Sequence, residues 1–117
     1  MKFTDTLKKN YEFQRLYSRG KSAVTPYLVV YVRKTKKRTN KIGFTVSTKL
    51  GKAVVRNRVR RRLREIYRLS EDDFAPGLEM VVVARVKAVR ASYGQLEKAF
   101  LSACDKLGCM KEGSGKA

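Results

Sequence analysis

A chain of 117 residues is long enough for one domain around one modest core, and a 43% hydrophobic content is that of a folded protein rather than a charged tail. Lysine and arginine number 28 against 10 aspartate and glutamate, a formal net charge of +18 that repels itself in the compact state and draws polyanions from a distance: nucleic acid first, an anionic membrane surface second. Histidine is absent, which excludes Ser-His, Cys-His and His-metal mechanisms, and no apolar run approaches the ~18 residues that cross a bilayer.

The opening MKFTDTLKKNYEF has no uninterrupted apolar stretch, so no secretory signal is expected. Asn10 can cap a helix through Glu12 to Ser18, with Gly20 just past its end. Phe13, Leu16 and Tyr17 share a face of it and read, on periodicity alone, as core residues. Two strands follow. Tyr27–Arg33, announced by Thr25-Pro26, places Leu28, Val30 and Val32 on one face and Tyr27, Val29, Tyr31 and Arg33 on the other. Lys41–Ser47 likewise separates Ile42, Phe44 and Val46 from Lys41, Thr45 and Ser47, with Lys49 beyond. Such a pair suits an antiparallel sheet with one face fully packed and one face of tyrosines, hydroxyls and lysines. The connector 34–40 is a basic loop, solvated by default.

The segment Ala53–Arg68 carries seven arginines and one acid, Glu65. On a helix at about 100° per residue, Val55, Val59, Leu63, Ile66 and Tyr67 fall within roughly 120° and bury against the sheet. Asn57, Arg60, Arg61, Arg64 and Arg68 gather on the opposite side, and Arg56, Arg58 and Arg62 flank the apolar stripe. Arg56/Arg60, Arg58/Arg62, Arg60/Arg64 and Arg64/Arg68 are like-charged pairs at i,i+4, together costing on the order of 1–2 kcal/mol, with Glu65 relieving only Arg61 and Arg62. A merely solvated face mixes its signs. Guanidinium groups also bind phosphate through two parallel hydrogen bonds and stack on bases, which ammonium groups do not. The face therefore reads as a polyphosphate-binding surface, with Asn57 adding a neutral donor and acceptor. Tyr27 and Tyr31 beside a polar strand face suit stacking on splayed bases, which favours RNA over DNA.

Glu71, Asp72 and Asp73 form the one acidic cluster, read as a solvated helix end; a weak divalent-ion site there would need oxygen ligands from elsewhere. Glu79–Arg85 is apolar at almost every position and reads as a central strand covered on both sides. The last helix opens at Ser92 with Gln95 completing a capping box, carries Leu96, Phe100, Ala103, Cys104 and Leu107 as its stripe, and stops at Gly108. Cys104 reads as a small buried apolar residue. Two cysteines, Cys104 and Cys109, are too few for a disulfide framework or metal site, and free thiols fit a cytoplasmic protein. Residues 1–110 form a single RNA-binding domain on this reading, and 111–117 a tail expected to be disordered. The order of helix, strands, helix, strand, helix is that of an α+β sandwich, with α/β the alternative.

The run from Gly43 to Glu65, GFTVSTKLGKAVVRNRVRRRLRE, resembles the Arg-Asn-Arg signature region of the bacterial ribonuclease P protein subunit. Asn10–Gly20 resembles the family's first helix and Met80–Arg85 its last strand, so the resemblance covers nearly the whole chain in order. It implies an αβββαβα sandwich like the second domain of ribosomal protein S5, with a left-handed βαβ crossover and a short strand near Ser22–Val24. The implied activity is that of a ribonucleoprotein tRNA 5′-maturation endoribonuclease. Its large RNA subunit carries the chemistry with bound magnesium. The protein binds that RNA and the 5′ leader of precursor tRNA, and has no catalytic residue of its own. Arg56, Asn57, Arg58, Arg60, Arg61, Arg64 and Arg68 would then face the RNA subunit. Phe13, Tyr17 and Tyr31 would line a leader cleft between first helix and sheet, bordered by Ser47 and Lys49, with Leu16 left as core. Two other readings remain open: a ribosomal or general RNA-binding protein with no role in cleavage, and a stand-alone nuclease, which the missing histidines and sparse acids disfavour.

Overall fold

The computed structural model describes residues 4–111. Eight elements form a five-stranded sheet with helices on both faces: β1 (Thr4–Thr6), α1 (Asn10–Arg19), β2 (Lys21–Val24), β3 (Leu28–Lys34), β4 (Asn40–Thr45), α2 (Ala53–Ser70), β5 (Leu78–Ala84) and α3 (Tyr93–Lys106), with short 3-10 turns at Thr48–Leu50, Glu71–Asp73 and Val86–Val89. The strand order is β1-β4-β5-β3-β2. β1 and β4 are parallel, as are β4 and β5, while β3 runs antiparallel to β5 and β2. β4, α2 and β5 thus make a βαβ unit. The short strand implied near Ser22 is present as β2.

β5 lies at the centre, as its unbroken apolar run requires: Val81 and Val82 point to opposite faces and neither is exposed. On one face Leu28, Val30, Ile42, Met80 and Val82 meet the stripe of α2 (Val59, Leu63, Ile66, Tyr67) and that of α3 (Leu96, Phe100, Ala103, Cys104). Each fully buried valine, leucine, isoleucine, methionine or phenylalanine among them contributes roughly 1.5–3 kcal/mol. Tyr67, Phe74 and Phe100 close the far end of this core edge to face and stacked. On the other face Val81 sits under Leu16 of α1 and Leu7, with Phe13, Tyr17, Tyr31 and Val83 around them.

β1 has no counterpart in the sequence reading. Three residues, Thr-Asp-Thr, carry no periodic signal; tertiary contacts hold them. Thr4 Oγ1 donates to Glu71 Oε2 at 2.6 Å and lies 2.6 Å from the Tyr67 hydroxyl, tying the edge strand to the end of α2. Glu71 is consequently buried, not solvated, and only Asp72 and Asp73 of the acidic cluster are exposed.

Asn10 does not cap α1; it lies inside the first turn, and Lys9 occupies the cap position. The orphan amides of Lys8 and Lys9 donate instead to the Glu12 carboxylate at 3.3 and 3.2 Å. Gly20 follows the helix in an extended conformation, so a left-handed cap is not its purpose. A Cβ there would stand 2.6 Å from the Leu16 carbonyl oxygen and 3.0 Å from that of Val32, and only glycine admits that approach. Asn40, read as the end of a loop, is buried: its Nδ2 donates to Ala75 O and its Oδ1 accepts from Leu78 N–H, pinning the starts of β4 and β5 together.

The capping box of α3 is present, with Gln95 N–H donating to Ser92 Oγ at 3.1 Å and Ser92 N–H to Gln95 Oε1 at 2.9 Å. Gly108 (φ +71°) turns the chain so that Cys109 N–H reaches Cys104 O, and both thiols are free and buried. Burial pushes the Cys104 thiol upward, while the bond from Cys104 draws Cys109 down. Of the expected tail, Lys111 is anchored through its amide to Asp73 O, and 112–117 lies outside the described residues.

Candidate nucleic-acid interface

α1 lies across β3 and β5, its first turn reaching β4, and what it leaves uncovered of the sheet makes a cleft. The rows of the sheet on this face follow from register. Ser22, Tyr31, Val81 and Gly43 form one row; Val24, Val29, Val83 and Thr45 form the next. Phe13 lies on Gly43, close enough that a Cβ at that glycine would come within 2.7 Å of the ring. Tyr17 meets Tyr31 edge to face, with centroids 5.1 Å apart, and its hydroxyl is 2.9 Å from Thr45 Oγ1. Phe13, Tyr17 and Tyr31 are each half-buried: their inner edges pack around Leu16 and Val81, and their outer edges stay open. Phe13 and Tyr17 thus pack against the core by one edge and leave the other edge exposed. Ser47 and Lys49 are exposed just past the end of β4, Lys49 within the 3-10 turn Thr48–Leu50.

Tyr27 does not belong with Tyr31. Strict alternation fails at Pro26, the strand begins at Leu28, and Tyr27 packs against the α2–α3 core instead.

The opposite end of the cleft is ionic. Register sets Glu79 of β5 between Arg33 of β3 and Lys41 of β4. Glu79 is 4% exposed and accepts from Arg33 Nη2 at 3.0 Å and Arg15 Nη2 at 3.4 Å. Lys41 Nζ reaches Glu12 Oε2 at 3.0 Å, which pins α1 to β4. Burial would raise the Glu12 carboxyl, but the Lys41 ammonium and the Lys9 and Lys8 amides outweigh it and hold Glu12 below its usual range. Lys41 is raised in turn by Glu12. Alternation placed Arg33 and Lys41 on this face; the buried carboxylate between them was hidden in the most apolar strand.

α2 presents its arginines on the far side of the sheet from the cleft. Arg58, Arg61 and Arg64, with Asn57, are exposed, and among the described residues none of the three arginines has an acidic partner. Arg60 donates to Asn57 Oδ1 at 2.8 Å, Arg56 Nε to Gly51 O, and Arg62 to Ala91 O. Glu65 pairs with Arg68, not with Arg61 or Arg62, so Arg68 is the one arginine of the face neutralised within the helix. This pairing lowers Glu65 and raises Arg68.

Among the described residues no group of three or more acids or cysteines could hold a metal ion, and no helix is long and apolar enough to cross a membrane. An α+β sandwich with an arginine helix on one face and half-exposed aromatic rings on the other fits a class: the small basic proteins that work with RNA.

The comparisons with known proteins narrow the class. Residues 1–108 match the family Ribonuclease P. A ribonuclease P protein component of Clostridioides difficile is 43% identical over 96 residues, covering 81% of this chain and 84% of that protein. One of Alkaliphilus oremlandii is 39% identical over 107 residues, covering 92% and 94%. Among solved structures, the Staphylococcus aureus RNase P protein superposes with a TM-score of 0.83 at 29% identity, covering 91% of this chain and 97% of that one, and the Thermotoga maritima protein with 0.76 at 29%, covering 84% and 93%. The chain belongs to the ribonuclease P protein family, the protein component of the ribonucleoprotein enzyme that processes tRNA 5′ ends, and so associates with ribonuclease P RNA. Readings as a ribosomal protein or a stand-alone nuclease fall away.

Proposed function

We propose that the two faces divide the labour of the ribonucleoprotein. The α2 face, through Arg56, Asn57, Arg58, Arg60, Arg61 and Arg64, docks on the ribonuclease P RNA, with Arg68 contributing least because Glu65 already holds it. The cleft of Phe13, Tyr17 and Tyr31, bordered by Ser47 and Lys49, takes the single-stranded 5′ leader of precursor tRNA. Thr45 joins this set, since it fixes the Tyr17 hydroxyl. The observation that carries the reading is the aromatic strip itself: three rings held from behind by Leu16 and Val81 and open in front, a geometry that stacks bases without reading their edges. Magnesium belongs to the RNA subunit on this reading and supplies the hydrolytic chemistry there. The protein contributes binding and position: it brings the leader to the RNA and screens the crowded phosphates. The enzyme works in the cytoplasm.

The test is to incubate precursor tRNA at low magnesium with the protein, a bacterial ribonuclease P RNA, or both. Efficient cleavage with both and little with either alone is the expected result. Cleavage by protein alone would overturn the assignment of the chemistry.

A further inference from the structure

The connector between β3 and β4 belongs neither to the α2 face nor to the cleft. Lys36, Lys37 and Arg38 follow one another in it, all exposed, and none has an acidic partner among the described residues. The cations that adjoin the connector differ: Arg33 near the end of β3 is spent on Glu79, and Lys41 at the start of β4 on Glu12.

The connector is braced. Thr35 donates twice to Gly77 O, from its amide at 2.7 Å and from its hydroxyl at 3.1 Å, and the same hydroxyl accepts from Lys37 N–H at 3.2 Å. Gly77 has a φ of +78°, and a Cβ there would stand 2.5 Å from Lys37 O and 2.8 Å from Thr35 O, so only glycine lets the two turns meet. At the far end Asn40 is held by Ala75 O and Leu78 N–H. A loop whose charge serves only solubility needs no such frame. A binding surface gains from it, because less chain entropy is left to lose on contact.

The connector is also separate from the arginines of α2. It lies where β3 ends and β4 and β5 begin, whereas α2 starts beyond the opposite end of β4. α2 comes back to the connector only at its C-terminal end, and there the charge changes sign. Arg68 is paired with Glu65, Asp72 and Asp73 are exposed, and Asp72 shares with Arg38 the rim of a hollow of about 230 Å³. An RNA strand following the arginines of α2 would meet these acids before it reached Arg38.

We propose that Lys36, Lys37 and Arg38 form a further RNA-binding surface, which takes the sugar-phosphate backbone of a base-paired helix. Residues 35–39 offer no aromatic or apolar side chain on which an unpaired base could stack. Thr39, exposed beside the three cations, offers a hydroxyl to a ribose. Cations and hydroxyls without a stacking plane suit a duplex, which is recognised by its shape, phosphates and 2′-hydroxyls. A stem of the ribonuclease P RNA and a stem of the bound tRNA present the same backbone, and the experiment tells them apart. The inference is independent of the leader reading of the cleft.

The variant is Lys36→Ala with Lys37→Ala and Arg38→Ala. The control, Lys21→Ala with Lys98→Ala and Lys106→Ala, removes the same charge from exposed positions on β2 and α3. Two affinities are titrated against salt: that of the protein for ribonuclease P RNA, and that of the reconstituted holoenzyme for precursor and for mature tRNA. If the helix belongs to the RNA subunit, the connector variant should weaken RNA-subunit binding severalfold more than the control, and its salt slope should fall by about 2.7, three contacts at ~0.9 each. If the helix belongs to tRNA, RNA-subunit binding should match that of the control, while precursor and mature tRNA weaken equally with the same change of slope. Loss beyond the control in either titration supports the proposal. A connector variant indistinguishable from the control in both titrations would show that the three cations add only net charge, and the proposal fails. Loss confined to precursor tRNA would make the contact one with unpaired leader, and the duplex assignment fails.

Discussion

Gly43→Ala is a one-methyl probe of how the cleft is built. The added Cβ would stand 2.7 Å from Phe13 Cε1, 2.8 Å from Cζ and 3.2 Å from Leu7 Cβ. Carbon atoms rest at about 3.5–4.0 Å, so the ring edge must retreat by about 1 Å. α1 cannot simply lift. It is pinned near its start by the Glu12–Lys41 pair and near its end by the tight approach of Gly20 to Leu16 and Val32. The ring must therefore turn outward, into the space assigned to the leader. Overpacking of this kind costs roughly 1–3 kcal/mol, read as a fall in Tm. The displaced ring should also weaken precursor binding, by up to the ~1–3 kcal/mol of one base stack, while mature tRNA and RNA-subunit affinity hold, because α2 lies across the sheet. Adding Phe13→Leu should recover stability by removing the clash but should not recover discrimination for the leader. Thermal unfolding and paired binding curves with and without leader check both limbs. A Gly43→Ala protein of full stability and full leader discrimination would refute the claim that the sheet holds Phe13 in place.

Arg60→Ala with Arg64→Ala should leave the fold intact and weaken RNA-subunit binding by roughly 2 kcal/mol or more, as expected for lost charge-assisted hydrogen bonds, whereas Arg68→Ala should cost less because Glu65 already engages it; titration of the RNA at near-physiological salt reads the difference. Tyr31→Ala should weaken precursor but not mature tRNA by about 1–3 kcal/mol, and Tyr31→Phe should be mild since the ring persists; equal loss for both RNAs would remove Tyr31 from the leader site. Glu12 is held below its usual range in the folded state, so its contribution is present above the ordinary glutamate value of about 4.3 and is lost as pH falls through the lower folded value. Urea unfolding across the acid limb should show Lys41→Met flattening that loss.

Much of the architecture was legible because it rests on local periodicity. The valines of β3, the unbroken apolar run of β5, the stripe Val59–Leu63–Ile66–Tyr67 and the Ser92–Gln95 box each declare an element within a few residues, since one side of a strand or helix must leave water wherever it ends up. The arginine face of α2 was legible for the same reason: a helix that buries one stripe must expose the other. What only the tertiary structure decided are the pairings between residues far apart in the chain. β1 exists because Thr4 finds Tyr67 and Glu71; Glu79 is tolerated in the central strand because register sets Arg33 and Lys41 beside it; Tyr27 leaves Tyr31's face because the strand starts one residue late. Glu65 chose Arg68 by rotamer, which spacing alone does not resolve. The cleft is of this second kind. Phe13, Tyr17, Tyr31 and Thr45 come from a helix and two strands, and periodicity tells which way each side chain points on its own element but carries no term for how far α1 slides across the sheet. The missing side chain of Gly43 and the lack of room at Gly20 set that distance, and so determine which rings are left half open.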